Sequence, residues 1–399
     1  MLLRGARRLE LDQDENQAAL FQRHLPELVE GVCSELINGD TAIPAVNGTP
    51  PPGQKPVSLG RRVFSIPTLV SFAIAAAFLI SLVTRFDIDW ETTWSKLRAS
   101  NPYLYGAAFA SYYFGFFLRG LRWRIMLSNA QGQGESSRKL PSTLACAQYV
   151  FLGWFANTVT WFRLGDAYRA YVFTEDTGYS FSRTAGTLLA ERVMDVVTVF
   201  VLLVVASLAL FGAGDMGRFG LFLGGALLLV LIGVAGLLAM KQFGTRLARL
   251  LPARLKSSYD RFHQGALGSF GQLPLLLVIS LLTWFTEVGR LFFVIQALGL
   301  SEATGFPLVL FVTLANAILT TVPITPGGLG IVEPGIVGLL TLSMARSEAL
   351  SATLLDRSIS YLSIVVLGGL VFLLRQLSRR RRGKTSLDSS SGRGGSTLE

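Results

Sequence analysis

Apolar runs close to bilayer length recur six times in this chain: Val63–Val83, Tyr103–Leu118, Met194–Phe211, Phe219–Met240, Leu273–Leu298 and Ser358–Leu374. A helix needs about 20 such residues to cross the hydrocarbon core. Two further hydrophobic regions are interrupted, by FRLGDAYR around Asp166 and by PITPGGLGIVEP around Glu333. Irregular backbone at membrane depth is tolerated only inside protein or around a cavity. Breaks at corresponding places in two halves of one chain point to a binding site near the bilayer midplane. Only 16% of the 399 residues are charged and 51% are hydrophobic, against about a quarter charged in soluble domains. The fold class that follows is an all-α polytopic membrane protein.

The net charge of +10 does not call for a nucleic-acid partner, because the basic residues gather beside the hydrophobic runs, as the positive-inside rule requires. Arg61 and Arg62 precede the first run, Arg119, Arg122 and Arg124 follow the second, and Lys241, Arg246, Arg249, Arg254, Lys256 and Arg261 follow the run Phe219–Met240. These ends are expected to be cytoplasmic. The loop Gly299–Phe306 has neither Lys nor Arg and is expected on the other face. Arg138, Lys139 and the segment Arg163–Arg192 then share the cytoplasmic face, so Ser142–Phe162 dips in and returns. By the same parity Pro307–Met344 enters and leaves from the opposite face. The expected architecture is about six full transmembrane helices plus two opposed re-entrant helical hairpins, in a cell (inner) membrane, with both termini cytoplasmic.

An internal repeat supports that arrangement. In the first half a span, the hairpin at TWFRLGDAYR, then TLLAER (Thr187–Arg192) lead into a span; in the second half a span, the hairpin at PITPGGLGIVEP, then TLLDR (Thr353–Arg357) do the same. Pro323 and Pro326 forbid a continuous helix, while Gly327, Gly328 and Gly330 permit left-handed or closely approached backbone. Freed amides there suit an anion, and the alternative is a plain tight turn between half-helices. Glu333 follows the break as a helix-start carboxylate or as a titratable coupling group.

Charges inside a membrane are costly and mark pathways by default. Arg163, Asp166 and Arg169 read either as a surface cluster, with Asp166 and Arg169 on one helix face, or as a phosphate-pairing group. Glu191, Arg192 and Asp195, like Asp356 and Arg357, stand at the start of apolar helices, where snorkelling to the interface is the plainer alternative. Arg192 and Arg357, at matching repeat positions, are the leading candidates for gripping phosphate. Glu287 and Arg290, three apart inside a run, read as a structural ion pair. Asn316 reads as a structural polar residue.

NTVTWFRLGDAYRAYVF, TLLAERVMD, PITPGGLGIVE and DRSISY, in that order, resemble the lysylphosphatidylglycerol synthase transmembrane, or flippase-like, family, over roughly Arg61 to Arg375. The family's first motif falls on Asn157, Trp161, Arg163, Gly165, Asp166 and Arg169. Trp161 stands where the family usually has proline and Asp166 where it has glutamate. The resemblance implies a lipid flippase without the soluble aminoacyltransferase that accompanies it elsewhere. It would move an anionic phospholipid or lipid-linked sugar between leaflets.

The two cysteines, Cys33 and Cys146, allow neither a disulfide framework nor a zinc cluster, and neither a metal nor another cofactor is expected. HExxH, GxSxG and phosphate-loop signatures are absent from the sequence, so an enzyme is the less favoured reading. Its form would be a membrane-embedded transferase acting on a polyprenyl-linked sugar. A third reading is a non-transporting scaffold that recruits a glycosyltransferase through its polar ends. Residues 1–60 form a mixed-charge cytoplasmic arm and Pro-rich linker, 61–376 the membrane domain, and 377–399 a basic tail whose composition reads as disordered.

Overall fold

The computed structural model describes residues 90–132, 139–160, 164–211, 220–301, 304–320 and 326–391. Among these every regular element is helical. The arm and the first hydrophobic run, Val63–Val83, lie outside the described residues, as do Arg163 and Pro323. We number the helices α1 (Trp90–Ala99), α2 (Pro102–Asn129), α3 (Thr143–Val159), α4 (Gly165–Thr177), α5 (Phe181–Phe211), α6 (Gly220–Leu250), α7 (Ala253–Gly268), α8 (Leu273–Ala297), α9 (Phe306–Leu319), α10 (Val332–Leu340), α11 (Arg346–Arg357) and α12 (Ser363–Ser391).

Among the described residues four stretches are long and apolar enough to cross a membrane: Phe181–Leu210, Phe222–Leu250, Leu255–Ala297 and Arg346–Leu377. The last is continuous from α11 into α12 through a π-helical turn, Ser358–Leu362. α2 is apolar only as far as Leu118, yet its 28 residues reach about 42 Å at 1.5 Å each. It starts cleanly, with Pro102 at its first position and the Asn101 side chain accepting from the amides of Tyr103 and Leu104.

α2 and α8 form the central pair and run antiparallel. The Asn101 amide donates to the Ala297 carbonyl at 2.8 Å, Ser111 Oγ to the Thr286 carbonyl at 2.9 Å, and Asn129 Nδ2 to the Ser269 carbonyl at 3.1 Å. Lipid tails are as apolar as leucine, so close packing at small residues rather than water exclusion holds such helices together. Gly115 supplies that approach: a methyl added there would lie 2.6 Å from Thr286 Oγ1.

Each central helix leads into a hairpin on its own side. Arg124 Nε donates to the Pro141 carbonyl where α3 begins, and Gln131 Nε2 donates to Tyr179 Oη just after α4, so the first hairpin leaves and returns at the Asn129 end. The second starts after Ala297 and returns at that same end, where Glu348 at the start of α11 pairs with Lys96 of α1 at 2.8 Å. Neither half-helix is long enough to cross alone: α3 has 17 residues and α9 has 14. The tips meet inside the bundle, with Gly327 against Thr158 and Tyr361. The spans after the hairpins pack reciprocally, α5 on α9 and α12 on α3. This is an inverted repeat.

α6 and α7 lie between the repeats. α6 turns Leu228, Leu231, Ile232 and Leu238 outward, as a lipid-facing helix does. α7 packs on the start of α5, where Arg183 Nη2 donates to Gln264 Oε1 at 3.0 Å. One expectation changes. Arg119 and Arg122 do not mark a membrane surface: α2 continues past them for two turns, and they are 5% and 0% exposed inside the bundle.

Candidate functional site

The two hairpin tips are built alike. In the first, the Gly165 amide donates to Asn157 Oδ1 at 2.8 Å, clipping the start of α4 to the end of α3. Gly165 lies on the Gly153 carbonyl with no room for a side chain. Asp166, second residue of α4, meets Arg192 Nε of α5 at 3.3 Å. In the second tip Gly327, Gly328 and Gly330 have φ of 60°, 72° and 83°, left-handed values that explain three glycines. The Gly330 amide donates to Glu333 Oε2 at 2.6 Å. Glu333, second residue of α10, meets Arg357 Nε at 2.8 Å through its other oxygen, and Arg357 Nη2 donates to the Gly327 carbonyl at 3.1 Å. The last arginine of TLLAER and that of TLLDR thus each hold the carboxylate that follows a helix break.

Behind these pairs runs a buried ionic chain. Arg122 of α2 donates to Asp195 at 2.6 Å, Glu191 at 3.1 Å and Ser280 at 2.8 Å. Arg290 of α8 bonds Asp356 at 3.1 Å and lies 3.5 Å from Glu287. Arg119 and Glu287, each three residues before the arginine of its own helix, meet at 2.7 Å and join the halves. Arg169 pairs with Glu191 at 3.0 Å and stacks over Trp123, 3.8 Å from the ring centroid. Among the described residues six arginines face six carboxylates. Glu191, Asp195 and Glu287 each serve two or more of these arginines, which offsets the desolvation that makes isolated buried pairs unprofitable.

A cavity of about 410 Å³ opens where the tips meet, lined by Asp166, Arg192 and Asp195 from one half and by Glu287, Arg290 and Arg357 from the other. Asn157, Asn316, Gly327, Gly328, Tyr112, Trp154, Trp284 and Tyr361 complete its polar and aromatic wall. Arg192 and Asp166 are the open members, 33% and 28% exposed at the side chain, against 0% for Arg122 and 1% for Arg169 and Glu191.

The sequence-derived set therefore divides. Asp166, Arg192, Asp195, Arg357, Glu287 and Arg290 reach the cavity. Glu333 and Asp356 sit behind their arginines, and Gly330 and Pro326 belong to the turn beside them. Arg169 and Glu191 are sealed into the ionic chain, and the ion pair of Arg169 is with Glu191 rather than with Asp166. Glu191, Arg192 and Asp195 lie more than two turns inside α5, which starts at Phe181, rather than at the start of that helix. Glu287 and Arg290 are neighbours, but the stronger partners of each are Arg119 and Asp356. Sequence reasoning missed Arg119, Arg122, Trp284 and Tyr361. The spacing of Arg119 and Arg122, matching that of Glu287 and Arg290, was the available signal.

Relatives place the chain. A UPF0104 membrane protein of Methanocaldococcus jannaschii is 29% identical over 222 residues, covering 55% of this chain and 94% of that protein. Another, of Methanothermobacter thermautotrophicus, is 24% identical over 331 residues, 75% of this chain and 91% of that protein. The Haloferax volcanii protein named glycosyltransferase AglD is 24% identical over 358 residues, 78% of this chain but 55% of its own length. Residues 68–368 match the family model described as the lysylphosphatidylglycerol synthase TM region, and the chain belongs to that family of membrane proteins.

Proposed function

We propose that this protein moves the head group of a phospholipid or lipid-linked sugar between leaflets. The observation that carries the reading is a cavity between two opposed hairpins, each presenting a carboxylate that masks an arginine of the helix after it. Arginine pairs with phosphate as readily as with carboxylate. A phosphodiester entering from one face takes Arg192 from Asp166; passed on, it takes Arg357 from Glu333. The same exchange in reverse restores each pair; while the phosphate is held, Asp166 or Glu333 stands without its arginine. The end carrying Lys139, Lys241, Arg246 and Arg249 is assigned to the cytoplasm by its charge.

Reconstitution into liposomes with labelled anionic, aminoacylated and polyprenyl-linked lipids tests this. Translocation of one class, lost in Arg192→Ala and Arg357→Ala, is the expected result. No translocation of any class would end the reading. The name of the Haloferax relative favours a second one, a transferase on a lipid-linked sugar, supported instead by product formed from a sugar donor.

A further inference from the structure

α6 is longer than a bilayer needs. Its 31 residues rise about 46 Å at 1.5 Å each, against a hydrocarbon core of about 30 Å. Holding all of it in the core would take a tilt of roughly 50°, outside the usual range of transmembrane helices. The excess lies at the end assigned to the cytoplasm, because Leu229 lines the cavity and Leu250 stands 21 residues beyond it. α7 folds back along that end. His263 meets α6 at Gly244, where an added methyl would lie 2.6 Å from its Cδ2, and His263 Nε2 lies 3.0 Å from the Met240 carbonyl. The end of α6 and the start of α7 thus form a finger outside the core.

The finger is apolar and basic at once. Phe243, Leu247 and Leu250, at i, i+4 and i+7 on one face of α6, are 50%, 49% and 82% exposed. Lys241, Arg246, Arg249 and Lys256 are exposed as well, and among the described residues no carboxylate pairs with any of the four. Residues 241–259 hold five basic residues and no acidic one. An apolar stripe outside the lipid, flanked by uncompensated positive charge, fits an acidic amphipathic segment.

We propose that this finger docks the chain's own N-terminal arm through residues 10–40, which lie outside the described residues. They carry eight acidic residues against Arg23 alone, interleaved with Leu20, Phe21, Leu25, Leu28, Val32 and Leu36, a helical spacing of apolar residues. The C-terminal tail, with Arg379–Arg382 and Lys384, has the wrong sign. Residues 41–60, with five prolines, connect the arm to Arg61. At about 3.1 Å per residue they reach as far as about 60 Å, several times the spacing of packed helices. Such a tether makes the encounter intramolecular, at an effective concentration near millimolar. The contact is separate from the cavity and from whichever lipid the cavity takes.

Disulfide formation in the full chain in nanodiscs tests the contact, with Cys33 reporting from the arm and Cys146 buried and silent. Under a mild oxidant Cys33 should join the thiol of Leu247→Cys roughly tenfold or more faster than that of Lys139→Cys, an exposed position on the same face of the membrane. Glu27→Lys, Glu30→Lys and Glu35→Lys together should bring the two rates level, and adding Arg246→Glu and Arg249→Glu should restore the difference. Equal rates with the arm unaltered, or a preference that charge reversal leaves unchanged, overturns the docking. So does a disulfide between two chains, which gives the finger to a second copy, or quenching of a fluorophore on Leu247→Cys by brominated lipid tails, which gives it to the bilayer.

Discussion

Arg122→Met separates the buried ionic chain from the arginines that face the cavity. Arg122 is 0% exposed and donates to Asp195, Glu191 and Ser280. Its removal leaves Glu191 with Arg169 at 3.0 Å and Arg192 at 3.7 Å, and Asp195 with Arg192 at 3.7 Å. Breaking a buried pair costs about 3–5 kcal/mol. The remaining partners place this case near 3 kcal/mol, or about two orders of magnitude in the unfolding constant. Arg192→Met breaks a pair open to the cavity, for which about 1 kcal/mol or less is expected. Cys146, 0% exposed in α3, reports unfolding through a thiol-reactive dye once Cys33 is replaced by serine. Arg122→Met should lower the midpoint strongly, whereas Arg192→Met should barely move it and abolish translocation. Adding Glu191→Gln to Arg122→Met should cost less than the sum of the two, because the Arg122–Glu191 interaction is lost only once. Equal destabilisation by Arg122→Met and Arg192→Met, or strict additivity in the double variant, would refute the division of labour.

Gly165→Ala places a methyl on the Gly153 carbonyl and 2.6 Å from Asn157 Oδ1, an overpacking worth about 1–3 kcal/mol. The Cys146 assay should register it, and Gly236→Ala, with open space around it, should be silent. Glu333→Gln keeps an acceptor for the Gly330 amide but removes the charge that competes for Arg357. Lipid binding in nanodiscs should tighten and turnover in liposomes should fall. Unchanged binding and unchanged turnover would remove Glu333 from the exchange.

The apolar runs, the two breaks and the alternation of basic and non-basic ends suffice to read the inverted hairpins, because membrane depth limits backbone to helices unless protein surrounds the break. Arg192 and Arg357 were legible through the repeat of TLLAER and TLLDR. The pairing was not. Sequence spacing joined Asp166 to Arg169 and Glu287 to Arg290, neighbours along one helix, whereas the dominant ion pairs cross between helices. Arg119 and Arg122 were misplaced because charge following an apolar run looks the same whether the helix ends or continues into a polar interior.

The chain by itself determined that its helices cross a bilayer, where they break and which charges stand at equivalent positions, since period, composition and repeat are local properties of the order of residues. Which carboxylate masks which arginine, which members are sealed and which face the cavity, and that Trp284, Asn316 and Tyr361 line one cavity, were decided only when the antiparallel packing of α2 on α8 brought segments more than a hundred residues apart within hydrogen-bonding range. Coulomb and hydrogen-bond energies depend on distances in space, and those distances come into being with the tertiary fold.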